Sequence, residues 1–277
     1  MDNFIRVGKE NSNTIDLYYE DHGAGPPVVL IHGWPLNGDA WEKQAAALLD
    51  AGHRVINYDR RGFGRSSKPV TGYNYDTFAA DLHILLSALD LSHVSLVGHS
   101  MGTGEVTRYI AKYGTKRLRK AVLIGTLGPY LVRTPDNADG VDSSVFSAIK
   151  AGIKADRPVA IMDFLKNFYS IGDADGKPVS EAVIRANWIV AMGASPIATV
   201  ACVDAWIEDF RKDIPRNDVP TMIIHGDDDH ILPADATARR QAKMIKGVNY
   251  IEIKGGSHGL PWTHADEINA ELIKFLA

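Results

Sequence analysis

Short apolar runs alternate along the first part of the chain with longer stretches whose apolar residues recur every three or four positions. Val28–Ile31 and Val94–Val97 are short apolar runs, the second with Ser95 inside it, of the kind found in strands buried on both faces of a parallel sheet, and Arg54–Tyr58 and Lys120–Ile124 fall at the same rhythm. Between them, Asp39 to Ala51 puts Trp41, Ala45, Leu48 and Leu49 on one helical face and closes at Gly52. A helix from about Asp76 carries Phe78, Leu82, Leu85, Leu86 and Leu89 as a stripe. Ahead of these, Phe4–Val7 and Ile15–Tyr19 predict two short strands joined by the polar turn Glu10 to Asn13. After Val97 the pattern breaks at Gly98 and resumes beyond Ser100 as helical spacing through Val106, Tyr109 and Ile110.

Near Gly128 the rhythm changes. From about 128 to 215 only helical stretches are found, at Ser143–Ile153, Pro158–Phe168, Ser180–Met192 and Pro196–Arg211. The alternation returns with a strand at Thr221–Ile224, a helix from Asp235 to Met244, a strand at Asn249–Ile253 and a last helix with Ala265, Ile268, Leu272 and Phe275 on one face. Strands alternating with helices predict the α/β class, with a mostly parallel sheet covered on both faces. The expected organisation is one domain over 1–277, with 128–215 as a helical cap inserted within it.

Composition narrows the function classes. A chain of 277 residues can bury roughly 75% of its unfolded surface without cross-links. A net charge of −4 with no basic block argues against nucleic acid or an anionic membrane as the main partner. No apolar run approaches spanning length, and Met1 to Val7 lacks the basic and apolar regions of a signal peptide. The single cysteine, Cys202, has no partner for an internal disulfide and reads as a small buried apolar residue. The expected location is the cytoplasm.

Candidate chemistry begins at Gly98-His99-Ser100-Met101-Gly102, where Gly-x-Ser-x-Gly between a strand and a helix forms a nucleophile elbow. A serine hydroxyl needs a base, and the base an orienting acid, which follow the serine in the order acid, then histidine. Thr221 to Pro233 is an apolar strand running into a glycine turn that offers Asp227, Asp228 and Asp229. His258, in Gly255-Gly256-Ser257-His258-Gly259, follows the next strand. Turn formation is the plain role for spare aspartates. A metal site is disfavoured, since His225 and His230 have no further ligands at suitable spacing. His32-Gly33-Trp34-Pro35 follows a strand where this fold supplies an oxyanion donor, the Trp34 N–H, with the Met101 N–H as the second. Pro35 biases Trp34 to extended dihedrals. His32 is expected to pack under that loop and His99 to line the pocket floor, while His22, His53, His83 and His93 are expected in solvent and His264 at the start of the last helix.

Val28 to Trp34, Asp59-Arg60-Arg61-Gly62-Phe63-Gly64-Arg65-Ser66, Gly98 to Glu105 and Ser257-His258-Gly259 together resemble the cofactor-free (non-haem) haloperoxidases. This branch of the α/β-hydrolases also holds aryl esterases and a γ-lactamase. The hydrolase pattern Gly-x-x-Asp-x-x-x-Pro, matched by Gly226 and Pro233, selects Asp229. The resemblance thus implies Ser100, Asp229 and His258 as catalytic triad, no metal or haem, a small carboxylic ester or acid as substrate, hydrogen peroxide as co-substrate, and a homo-oligomer. Phe164 and Ile231 are expected on the wall of an apolar acyl pocket. Lactamase chemistry on the same triad and a non-catalytic binding module are the alternatives. His99 stands where the lactamase branch is expected to carry phenylalanine.

Overall fold

In the computed structural model, residues 3–138, 140–172 and 179–277 are described. Two strands, β1 (Phe4–Glu10) and β2 (Asn13–His22), open the chain as an antiparallel hairpin, and β2 pairs antiparallel with β4 (Arg54–Tyr58). The remainder of the sheet is parallel and contains β3 (Pro27–Ile31), β5 (Val94–His99), β6 (Leu118–Ile124), β7 (Thr221–Gly226) and β8 (Asn249–Ile253). The order across the sheet is β1-β2-β4-β3-β5-β6-β7-β8. β5, which carries the elbow, therefore lies between β3 and β6.

Side-chain alternation divides the interior in two. Val28, Leu30, Val97, Val122, Ile124, Met222 and Ile224 pack against α1 (Glu42–Asp50) and α10 (Ala265–Leu276), through Leu48, Ile268, Leu272 and Leu276. Their neighbours in sequence, Val29, Ile31, Leu96, Leu123 and Ile223, face the opposite way. There they meet α2 (Tyr75–Ala88) and α3 (Met101–Tyr113), by way of Phe78, Leu82, Val106 and Ile110. A strand buried on both sides favours apolar residues at nearly every position, which is why these runs are so rich in them, with small polar Ser95 and Thr221 as buried exceptions in β5 and β7.

Among the described residues, four α-helices, α4 (Ser143–Ala155), α5 (Arg157–Phe168), α6 (Glu181–Met192) and α7 (Pro196–Trp206), lie between β6 and β7. Positions 139 and 173–178 of the expected 128–215 span lie outside the described residues. α7 stops five residues before the expected Arg211, for tertiary reasons. Phe210 is buried with its ring 5.0 Å from Tyr75 and its N–H on Pro129 O, and Glu208 accepts from the Tyr75 N–H. These contacts draw the chain off the helical path. The expected helix from Asp235 shrinks to α8 (Ala238–Ala242), because Thr237 adopts non-helical dihedrals and bonds Pro233 O through its hydroxyl. The helix expected from Asp39 starts as a 3-10 turn, Gly38–Trp41, capped by Asn37. A short α9 (Leu260–Thr263) precedes α10, on which Leu276 rather than Phe275 completes the buried face. Among the described residues no single helix is long and apolar enough to cross a membrane.

Candidate active site

β5 enters α3 through Ser100, whose backbone is held at φ 53° and ψ −120°. A non-glycine residue there is strained, and the turn survives because its neighbours leave room. A Cβ on Gly98 would lie 2.6 Å from Gly102 O, and one on Gly102 would collide with the Ile31 carbonyl. The hydroxyl is thus raised at the carboxyl end of the sheet, at the N-terminus of α3.

The loops after β7 and β8 bring the other two groups to it. Ser100 Oγ is 2.8 Å from His258 Nε2, and His258 Nδ1 is 2.7 Å from Asp229 Oδ2. An ionised carboxylate only accepts, so Nδ1 bears the proton and Nε2 is free to receive one from the hydroxyl. Asp229 Oδ1 accepts from the N–H groups of Ile231 and Leu232 at 2.9 and 2.7 Å. Burial alone would push the Asp229 carboxyl up. The adjacent His258 imidazole, its hydrogen bond and the Leu232 N–H outweigh that and hold it below the ordinary aspartate range.

The two loops are tied to each other. Asp227 accepts from the Gly255 N–H at 2.6 Å, Asp228 N–H reaches Gly256 O at 3.2 Å, and a Cβ on Gly226 would overlap Gly256. Asp227 therefore has the turn role expected of it, whereas Asp228 pairs through its carboxylate with His230 at 3.0 Å.

Three further histidines stand at strand ends around this line, each buried. His32 Nε2 accepts from the Arg60 N–H at 2.9 Å, His99 Nε2 donates to His258 O at 3.0 Å, and His225 Nε2 donates to Leu232 O at 2.7 Å. Burial holds all three below the ordinary histidine pKa, His99 down to about 3. His32 lies where expected, whereas His99 is absent from the lining of the cavity over Ser100 and instead bridges to His258 O, and the bridging role of His225 was not legible. His53 corrects another expectation: it is 5% exposed, with Nδ1 3.3 Å from Pro26 O. His83 is half-buried and stacks on Tyr113 at 4.2 Å.

Arg60 and Glu105 form a sealed ion pair at 2.7 Å with the Tyr58 hydroxyl on the same carboxylate. Cys202 is fully buried and its thiol is pushed up to about 12 by that burial.

Above Ser100 opens a cavity of about 450 Å³, walled by Trp34, Leu131, Phe146, Phe164, Trp206 and Ile231. Trp34 meets Phe164 and Trp206 edge to face at 4.8 and 4.9 Å. Phe164 and Ile231 thus line the space expected of them. Trp206, Phe146 and Leu131 were missed. α7 carries apolar residues around most of its circumference, so local spacing did not single out Trp206. Gly33 runs against Ser100, since a Cβ there would lie 2.9 Å from Ser100 Cβ; Trp34 lines the same cavity as Ser100, and Met101 follows it as the first residue of α3. Among the described residues no group of three or more His, Cys, Asp or Glu side chains is arranged to hold a metal.

A profile described as the alpha/beta hydrolase fold matches residues 26–265, and the chain belongs to that family. Within it, the chain is 43% identical over 265 residues to non-heme chloroperoxidase CPO-A1 of Kitasatospora aureofaciens, covering 95% of this chain and 96% of the relative. It is 33% identical, over the same shares of both chains, to the bifunctional esterase/perhydrolase DCH of Acinetobacter calcoaceticus. The crystal structure of bromoperoxidase from Bacillus anthracis superimposes with a TM-score of 0.94 at 47% identity, covering 99% of this chain and 98% of that one. The resemblance drawn from the motifs and the α/β-hydrolase fold class are both borne out.

Proposed function

We propose that this protein is a serine-dependent carboxylic ester hydrolase whose acyl-enzyme is also intercepted by hydrogen peroxide. The observation that carries the reading is the continuous hydrogen-bonded line Asp229–His258–Ser100 ending at the floor of an apolar cavity. Ser100 Oγ attacks the ester carbonyl as His258 Nε2 takes its proton, and Asp229 stabilises the imidazolium. The N–H groups of Trp34 and Met101 hold the oxyanion. His258 returns the proton to the leaving alcohol, which departs and leaves the acyl group on Ser100. Water then releases a carboxylic acid. Peroxide attacking the same acyl carbon releases a peracid instead, freeing the hydroxyl, and the peracid oxidises halide to hypohalite while becoming the carboxylate.

The names of the relatives, an esterase/perhydrolase among them, support both outcomes. In this reading Phe164 and Ile231 contact the acyl chain and residues 128–215 serve as a cap. The protein works without a metal in the cytoplasm, as a homo-oligomer. Fluorophosphonate labelling of Ser100, with p-nitrophenyl acetate turnover in wild type and Ser100→Ala, tests the core of it. Equal turnover in the two proteins rejects the serine mechanism and leaves a binding module. Light scattering checks the assembly.

A further inference from the structure

We propose that His32 is a positioning residue for the oxyanion hole: its imidazole holds the Gly33 carbonyl and so turns the Trp34 N–H toward Ser100. The inference rests on the serine-hydrolase reading above.

The argument begins with which atoms donate. His32 Nδ1 lies 2.8 Å from Gly33 O, and a carbonyl only accepts, so Nδ1 carries a proton. His32 Nε2 lies 2.9 Å from the Arg60 N–H, which only donates, so Nε2 carries none. The two bonds together define one neutral tautomer. Burial and the Arg60 charge both disfavour a second proton on this ring, which keeps that state in place.

The peptide joining Gly33 to Trp34 is trans. In a trans peptide the C=O and the N–H lie in one plane and point in opposite directions. Fixing the Gly33 oxygen on the His32 side therefore aims the Trp34 N–H at the other side. Ser100 is close by: a Cβ on Gly33 would come within 2.9 Å of Ser100 Cβ, and Trp34 and Ser100 line the same cavity. The reversed peptide would present an oxygen to the developing negative charge and remove a donor from it.

His32 is itself braced. Arg60 Nη2 donates to His32 O at 2.9 Å, and Arg60 Nε is held by Glu105 at 2.7 Å with both side chains sealed from solvent. Phe63 packs edge to face on the imidazole at 5.6 Å. The ring is absent from the lining of the cavity over Ser100, so it acts through the peptide and not on the substrate.

The test compares His32→Leu, which removes both hydrogen bonds, with His32→Asn, whose amide N–H occupies the place of Nδ1. Loss of one oxyanion donor lowers kcat by about 10²–10³-fold, and misdirecting it should cost about 10–100-fold. For p-nitrophenyl acetate, His32→Leu is expected to lower kcat by about that factor with KM within about twofold. Affinity for a trifluoromethyl ketone, which forms an oxyanion on Ser100, should fall in parallel, and His32→Asn should recover most of both losses. Wild-type kcat in His32→Leu, a loss confined to KM, or equal losses in the two variants overturns the proposal. Should His32→Leu not fold, His32→Gln, whose amide reaches the Nε2 position, replaces it and is expected to lose kcat where Asn keeps it. Fluorophosphonate labelling of wild type separates the layers. Absent labelling rejects the hydrolase reading and the inference with it, whereas normal labelling with wild-type kcat in His32→Leu rejects the inference alone.

Discussion

Below the cavity, Ser100, His258 and Asp229 are joined by hydrogen bonds of 2.7–2.8 Å, while above it Trp34, Phe164 and Trp206 meet through ring contacts of 4.8–4.9 Å. The floor is built at strand ends and held by directional bonds whose donors and acceptors are each specified. The roof comes from α5 and α7 together with Trp34 of the loop after β3, and is held by contact area, which has no preferred direction. Proton transfer needs groups placed within tenths of an ångström, and only directional bonds supply that. Accommodating an acyl chain needs volume, and packed apolar walls tolerate exchange of one side chain for another of similar size.

The sharpest way to break this contrast is at the nucleophile. Ser100→Ala should lower kcat for p-nitrophenyl acetate by about 10⁶-fold with unchanged circular dichroism. Asp229→Asn should keep the shape and lose about 10⁴-fold, because the amide favours the wrong imidazole tautomer. Retention of more than a tenth of wild-type kcat in that variant would place the acid elsewhere.

The floor should also show in stability against pH. His32, His99 and His225 all lie below their ordinary pKa when folded, with His99 at about 3. From about pH 6.5 downward the unfolded chain therefore binds protons that the folded one refuses, so stability falls as the medium becomes acidic. Each such proton is worth about 1.4 kcal/mol per pH unit. Glu105, Asp59, Asp81 and Glu208, raised above their ordinary ranges by burial, work in the other direction as they gain protons, so the net slope is expected to fall short of three protons. Urea unfolding at pH 7 and pH 5.5 measures it, and identical midpoints would contradict the neutral state assigned to these rings. The smallest effect belongs to the roof. Phe164→Ala should change the ratio of kcat/KM for hexanoate over acetate esters by about tenfold and leave acetate turnover within a few-fold.

The contrast also explains what could be seen in the chain beforehand. Buried strands such as Val94–His99 announce themselves because both faces demand apolar residues, and Ser100, Asp229 and His258 follow strands with glycines beside them. His225 gave no such signal. Its hydrogen bonds go to Leu232 O and the Thr126 N–H, backbone atoms that carry no residue identity, and only the fold brings its ring within 3.4 Å of Asp229 Oδ2. α7 was overextended for a related reason, since Phe210 leaves the helical path to meet Tyr75, an attachment that local spacing does not encode. Phe164 and Ile231 were legible as apolar walls, while Trp206 was hidden in a helix apolar on most sides.

The stitching of the Asp227–Asp229 segment to Gly255 and Gly256 has a mechanical consequence. Carboxylate and imidazole ride on one jaw at the ends of β7 and β8, whereas the hydroxyl belongs to β5, with β6 between it and β7. His99, one residue before Ser100, is bonded to His258 O at 3.0 Å, so β5 is clamped to that jaw beside the hydroxyl. The clamp keeps the three parts in register when the sheet flexes.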